Sequence, residues 1–154
     1  MSSFDASIDR DANRQVITSN ESFKTESTWT YVTATTGAVG AHTLFTVTGN
    51  VLVQVFGIVD TDLTGAATLE VGIVGNTAAI LAQTANATTL DDGEIYVDNS
   101  SATVETLPST LILNDGTDII QTIGSTAITA GVIDFYCLWR PLSSDGNITA
   151  TTPA

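Results

Sequence analysis

The stretch VLVQVFGIV, residues 51–59, is apolar on both faces of a β-strand except at Gln54. Successive side chains of a strand point to opposite faces, so such a strand lies either between two packed layers or beneath another subunit. A second stretch, VIDFYCLWR at residues 132–140, has a similar composition. One of its faces carries Ile133, Phe135, Cys137 and Trp139, and the other carries Val132, Asp134, Tyr136, Leu138 and Arg140. These two strands predict the centre of a β-sheet protein.

Outward from these strands, the chain shows short apolar or alternating runs separated by Gly, Asn and Asp, a pattern typical of a sandwich or barrel. No segment has sustained helical periodicity, and 154 residues fit one domain. We therefore predict an all-β fold, an antiparallel β-sandwich of jelly-roll-like type over residues 27–154, preceded by an extended N-terminal arm over residues 1–26. The predicted strands are residues 28–36, 42–48, 51–59, 68–74, 78–82, 94–97, 110–113, 118–122, 126–130 and 132–140.

Two local features make sharper predictions. Asp115-Gly116 lies between the apolar runs 111–113 and 119–120, and it is the strongest hairpin signal because both residue types suit left-handed turn geometry. Residues 78–87 are the one place where we expect a short helical turn.

The charges are unevenly distributed along the chain. Lys and Arg are absent between Thr25 and Trp139, whereas twelve of the 17 carboxylates lie from Glu26 to Asp134. The net charge of −13 repels phosphate backbones and anionic lipid headgroups. We therefore expect no nucleic-acid partner and no membrane partner.

Acidic turns are the candidates for a metal site. Asp91, Asp92 and Glu94 form the densest group, and calcium prefers about six to eight oxygen ligands. No turn matches the EF-hand loop, and Asp, Asn and Gly are also the ordinary residues of turns. We expect plain turns, with no metal and no other cofactor.

The residues needed for catalysis are sparse. Cys137 is the one cysteine and lies in an apolar strand, where it is expected to be a small buried hydrophobe. His42 is the one histidine and is expected to be an exposed strand residue. The chain has no nucleophile elbow and no glycine-rich phosphate loop. We predict that it is not an enzyme.

Aromatic side chains leave a carbohydrate-binding hypothesis open. The five candidates for a sugar-stacking platform are Trp29, Tyr31, Tyr96, Tyr136 and Trp139. Aromatic residues in alternating strands more often fill the core, and Trp29 and Tyr31 could also belong to a subunit interface.

Three segments carry a resemblance to a known class of protein. They are DRDANRQVIT at 9–18, TDLTGAATLEVG at 61–72, and GVIDFYCLWRPL at 131–142 with SDGN behind it at 144–147. Together they resemble small structural proteins of tailed bacteriophage virions, and within that class the chain is most similar to a head decoration (cement) protein.

The resemblance implies a role in the virion. Decoration proteins typically form trimers on the outer capsid surface and clamp neighbouring subunits of the major capsid protein. It therefore implies the major capsid protein and further copies of this chain, as a homotrimer, as partners, with the protein made in the host cytoplasm. The negative charge would be repelled by packaged DNA, which favours the outer surface.

Two groups of residues are candidates for these contacts. The arm could add a strand to an exposed edge of a capsid protein, with arginines pairing with carboxylates; its candidate contact residues are Arg10, Arg14, Gln15, Val16, Ile17 and Lys24. Copies near −13 repel each other, so the oligomer seam must be apolar or rich in Thr and Ser. The predicted seam is the face with Val132, Tyr136 and Leu138.

Other functions stay open at this point. A tail, neck or fibre accessory protein of the same virion class would carry a β-sandwich that binds a surface or a glycan. A lectin-like module unrelated to capsids is another possibility, and a hydrolase is the most distant.

Overall fold

The computed structural model describes residues 23–153, which form eleven strands and one 3-10 turn. The strands are β1 Phe23–Thr30, β2 Gly40–Thr48, β3 Val51–Thr64, β4 Thr68–Ile73, β5 Asn76–Thr84, β6 Ile95–Tyr96, β7 Ser101–Ala102, β8 Leu111–Leu113, β9 Ile119–Gly124, β10 Ala130–Pro141 and β11 Asn147–Ala150. The 3-10 turn is Ala87–Thr89. Within these residues no helix has the length and apolar character that crossing a bilayer requires.

The strands form two antiparallel sheets. The first sheet has the order β1-β10-β3-β6-β7, with β8 also paired to β3. The second sheet has the order β11-β2-β9-β4-β5. The predicted all-β antiparallel sandwich is confirmed, and the chain passes from one sheet to the other at most of its connections.

The core lies between the sheets and is built from the inward side chains of β3 and β10. Both strands alternate between buried and half-buried positions over most of their length. Gly57 is an inward position of β3 without a side chain, and a Cβ there would lie 2.8 Å from Ile133 Cγ2. The Phe135 ring also lies close to this position, so the absence of a side chain at Gly57 makes room for β10.

Strand β1 begins earlier than its sequence predicts. Residues 23–26 were assigned to the arm, but they pair with β10 from Phe23↔Trp139 onward. The alternation was hidden because the inward residues Thr25 and Ser27 are polar. Thr25 Oγ1 donates to the Ile148 carbonyl at 3.3 Å, and Ser27 Oγ donates to the Thr151 carbonyl at 3.3 Å. These bonds join the sheets where β1 lies beside β11.

Other local predictions were wrong. Asp115-Gly116 is a turn, with Gly116 at φ 73°, but the flanking strands β8 and β9 belong to different sheets and form no hairpin. The strand predicted over residues 78–82 is confirmed as part of β5, but the short helical turn expected over residues 78–87 lies after that strand, at Ala87–Thr89. Residues 126–129 are not a strand, whereas β7 and β11 were not predicted.

Candidate interaction surface

The first sheet has an outer face, turned away from the second sheet, on which the three predicted seam residues lie together. Val132, Tyr136 and Leu138 are half-buried outward positions of β10. The outer face is defined by the outward residues of three long neighbouring strands and of two short strands that pair with β3. They are Lys24, Glu26, Thr28 and Thr30 on β1; Val132, Asp134, Tyr136, Leu138 and Arg140 on β10; Leu52, Gln54, Phe56 and Ile58 on β3; Ile95 on β6; and Ile112 on β8.

The centre of the outer face is aromatic. Tyr136 pairs directly with Phe56 across β10 and β3, and their rings stack at 5.3 Å with an interplanar angle of 19°. Lys24 Nζ lies 5.3 Å from the centroid of the Tyr136 ring, within cation–π range. Lost hydration raises the pKa of the Tyr136 hydroxyl, with a further rise from the nearby carboxylates of Glu26, Asp134 and Asp60.

The outer face holds both cations of residues 23–153, Lys24 and Arg140. Lys24 Nζ lies 3.7 Å from the Glu26 carboxylate, which is the one ion pair among the described residues. Arg140 Nε is buried and has no hydrogen-bond partner in that part of the chain. At the other end of β10, Asp134 accepts a hydrogen bond of 2.6 Å from the Thr28 hydroxyl.

The segment between β7 and β8 borders the outer face. Gln54 Nε2 donates to the Pro108 carbonyl at 3.0 Å, which places this segment beside β3. Val104 in this segment is 83% exposed, and Ile112, the outward residue of β8, is 68% exposed. An apolar surface with exposed aliphatic side chains at its border is typical of a protein contact site.

The remaining predicted contact residues fall in two places. Arg10, Arg14, Gln15, Val16 and Ile17 lie outside the described residues. Lys24 lies in β1, on the outer face rather than in a segment separate from the sandwich.

Acidic turn residues bind backbone amides. Asp62 accepts from the Asp92 N–H at 2.7 Å, Asp115 from Gly49 at 2.8 Å, and Asp118 from Val47 at 2.9 Å. The carboxylate therefore stabilises the turn or a neighbouring strand. Across residues 23–153, no three side chains of metal-binding type come together, and this includes the group Asp91, Asp92 and Glu94.

An open pocket of about 360 Å³ lies beside the turn between β1 and β2 and is lined by Trp29, Thr35, Thr36 and His42. Trp29 Nε1 donates to the Thr36 carbonyl at 2.9 Å, and His42 Nε2 donates to the Ala38 carbonyl at 2.8 Å. His42 was predicted to be exposed, but it is half-buried because its ring packs edge-on against Trp29 at 5.6 Å. Trp29 Nε1 and His42 Nε2 therefore both stabilise this turn.

Most of the aromatic side chains are in the core. Trp29, Tyr31, Tyr96 and Trp139 are buried, and of the five platform candidates only Tyr136 reaches the surface. A sugar-stacking platform needs exposed rings, so four of the five candidates are unsuited to that role. Cys137 is buried among apolar side chains, and burial raises the pKa of its thiol to about 12.

Comparison of the chain with protein-family models, with curated proteins and with solved structures finds no match. The outer face is therefore interpreted from its own geometry and charges. Sequence patterns identified its β10 residues, but Phe56, Ile58 and Ile112 could be added only once the pairing of β3 with β10 and β8 was known.

Proposed function

We propose that this chain is a virion structural protein that decorates the outside of a phage capsid and stabilises the mature shell by clamping subunits of the major capsid protein. The observation that carries the proposal is the outer face, with stacked Phe56 and Tyr136 at its centre. A folded β-sandwich with an apolar sheet face available for contact suits a mechanical role. The resemblance of residues 9–18, 61–72 and 131–142 to phage virion proteins supports a mechanical role in a virion.

The outer capsid surface suits the charge of the chain. A net charge of −13 disfavours contact with packaged DNA. The surface also has few long charged side chains, because charged residues are only 14% of the chain. Short side chains such as Thr, Ser and Ala lose little conformational entropy when a partner orders them.

Decoration stabilises a shell by linkage. A protein that binds only the mature lattice adds RT ln(1 + [L]/Kd) of stability at each site. A homotrimer would contact several capsid subunits at once, so that modest contacts gain affinity through effective concentration. In this proposal the outer face forms the seam between copies, and the segment before β1, with Arg10 and Arg14, contacts the capsid protein.

The test is a mixing experiment with mature capsids of the encoding phage prepared without this protein. The full chain, a chain lacking residues 1–22, and an Arg10→Ala/Arg14→Ala variant are each mixed with the capsids. Sedimentation and electron microscopy then measure occupancy. Truncation at residue 22 leaves the paired strand β1 intact.

We expect saturable binding of the full chain at three-fold or quasi-three-fold positions, and weaker binding of both altered chains although they remain folded. Capsids that stay bare at saturating protein would overturn the proposal. In that case, rings or fibres on isolated tails would support the tail, neck or fibre alternative.

A further inference from the structure

The outer face has opposite charges at its two ends. Arg140 lies near the C-terminal end of β10, and Lys24 on β1 pairs with Leu138, two positions before it. Asp134 lies six positions earlier on β10, and Asp60 lies nearby on β3, at the irregularity in pairing between Val59 and Thr61. At about 3.4 Å per residue, roughly 20 Å separates the two ends along the strand.

The charges at both ends lack a full partner among residues 23–153. Arg140 forms no ion pair, and its buried Nε has no hydrogen-bond partner. Asp134 is bonded only to the neutral Thr28 hydroxyl, and no cation lies within ion-pair distance of it or of Asp60. A buried guanidinium nitrogen without an acceptor is costly, so a partner that supplies a carboxylate is favoured.

The area of the outer face is that of a small specific interface. Its outward residues run along β10 from Val132 to Arg140, a length of roughly 31 Å, and β1, β10, β3 and the short strands beside β3 give a width of roughly 19 Å. The product is roughly 590 Å², close to the roughly 600 Å² that each partner contributes at the lower end of specific protein contacts.

We propose that the outer face of one copy packs on the outer face of a second copy with their β10 strands antiparallel, so that Arg140 of each faces Asp134 and Asp60 of its neighbour. The opposite, parallel arrangement would bring Arg140 to Arg140 and Asp134 to Asp134. Like charges in an interface are strongly unfavourable. Antiparallel packing places Tyr136, Phe56 and Leu138 at the centre of the contact.

This inference deepens the self-association in the proposed function and rests on it. It fits a two-fold dimer, in which β10 strands run antiparallel. A ring of three would instead divide each outer face between two neighbours, so that the cationic end of each copy meets the acidic end of the next, and it would keep the charge pairs but not the central aromatic contact.

A charge-swap series tests the contact in the absence of capsids. The first variant is Arg140→Glu, the second is Asp60→Lys/Asp134→Lys, and the third carries all three changes. Val74→Glu is the control, because Val74 is 82% exposed on the turn between β4 and β5 of the second sheet. Melting temperature identifies variants that remain folded, and sedimentation velocity measures self-association.

We expect the first and second variants to associate at least tenfold more weakly than the unmodified chain, since close interfacial charge pairs couple by more than about a factor of ten. Val74→Glu should associate like the unmodified chain. The third variant, with reversed polarity, should recover self-association. If the symmetry is two-fold, an equimolar mixture of the first and second variants should form 1:1 dimers. If the assembly is a ring of three, such a mixture always keeps one contact between like charges, so self-association recovers only in the third variant.

The proposal is overturned if the unmodified chain remains monomeric at high concentration, if the single-end variants associate normally, or if the third variant fails to recover. If removal of residues 1–22 alone abolishes association, the outer face binds that segment rather than the outer face of a second copy. A chain that self-associates with this charge pattern but leaves capsids bare would overturn the capsid proposal and leave this inference standing.

Discussion

Tyr31 and Gln121 form a polar contact inside the sandwich. The Tyr31 hydroxyl donates to Gln121 Oε1 at 2.7 Å, and both side chains are buried. The amide nitrogen Nε2 of Gln121 is also buried and finds no partner among the described residues. The tyrosine hydroxyl is thus the one side-chain group there that satisfies Gln121, and burial raises the pKa of Tyr31 well above its ordinary value.

Tyr31→Phe should therefore destabilise the fold by about 1–3 kcal/mol, because it leaves a buried carbonyl oxygen without a donor. Tyr136→Phe, on the outer face, serves as the matched control, and its effect should be within about 0.5 kcal/mol. The double variant Tyr31→Phe/Gln121→Leu should regain part of the loss, since it removes both polar partners. Urea unfolding of all three measures these differences, and equal stability of the two Tyr→Phe variants would contradict the role given to Tyr31.

The buried thiol of Cys137 makes a prediction about alkaline pH. Its pKa rises from 9.0 to about 12 in the folded chain, so the unfolded chain loses this proton first as pH increases. The contribution of the protonated Cys137 thiol to the free energy of unfolding is present below pH 9. It is lost as pH rises toward about 12, at a rate approaching 1.4 kcal/mol per pH unit.

Cys137→Ala should lower stability at pH 7 and flatten this part of the alkaline decline, which urea unfolding between pH 8.5 and pH 11 would measure. Tyr31 and Tyr96, whose raised pKa values also come mainly from burial, remain in both chains and serve as an internal reference. Identical alkaline slopes for the two chains would contradict the assignment.

At the scale of elements, sequence predicts the long central strands better than their partners. Strands β3 and β10 were identified because their apolar patterns are long, although β3 continues to Thr64 and β10 begins at Ala130. Strand β1 was misplaced because two of its inward side chains are hydroxyls. The hairpin predicted around Asp115-Gly116 was wrong for a different reason, because a local turn signal does not specify whether its flanking strands join one sheet or two.

Strand β1 nevertheless contributes an essential part of the core. Trp29 is buried near its end, whereas Phe23 at its beginning is 58% exposed and packs on Trp139 with ring centroids 4.9 Å apart. Trp29→Ala should cost about 3–5 kcal/mol, and Phe23→Ala only about 1 kcal/mol, the value of a surface aromatic pair. Thermal unfolding would measure both, and a larger loss for Phe23→Ala would show that β1 is anchored at its beginning instead.

At the scale of the whole molecule, positive and negative charges are distributed differently among the described residues. The carboxylates mostly occupy turns and the exposed ends of strands, where several accept backbone hydrogen bonds. The two cations of the described residues lie on the outer face. Sequence could predict that Val132, Tyr136 and Leu138 share a face, because strand alternation requires it. The contributions of Phe56 and Leu52 depend on long-range register between β3 and β10, which no local pattern encodes.

The aromatic centre of the outer face gives the last prediction. Tyr136→Asp places a carboxylate at the centre of the outer face, beside Phe56 and near Glu26 and Asp134, and should abolish the proposed self-association without unfolding the sandwich. Val74→Asp adds the same charge on the exposed β4–β5 turn and should leave association unchanged. Light scattering measures the mass of each variant, and thermal unfolding confirms that each is folded. A folded Tyr136→Asp chain that keeps the mass of the unmodified protein would remove the outer face from the seam, because a desolvated carboxylate without a partner is not tolerated at the centre of an interface.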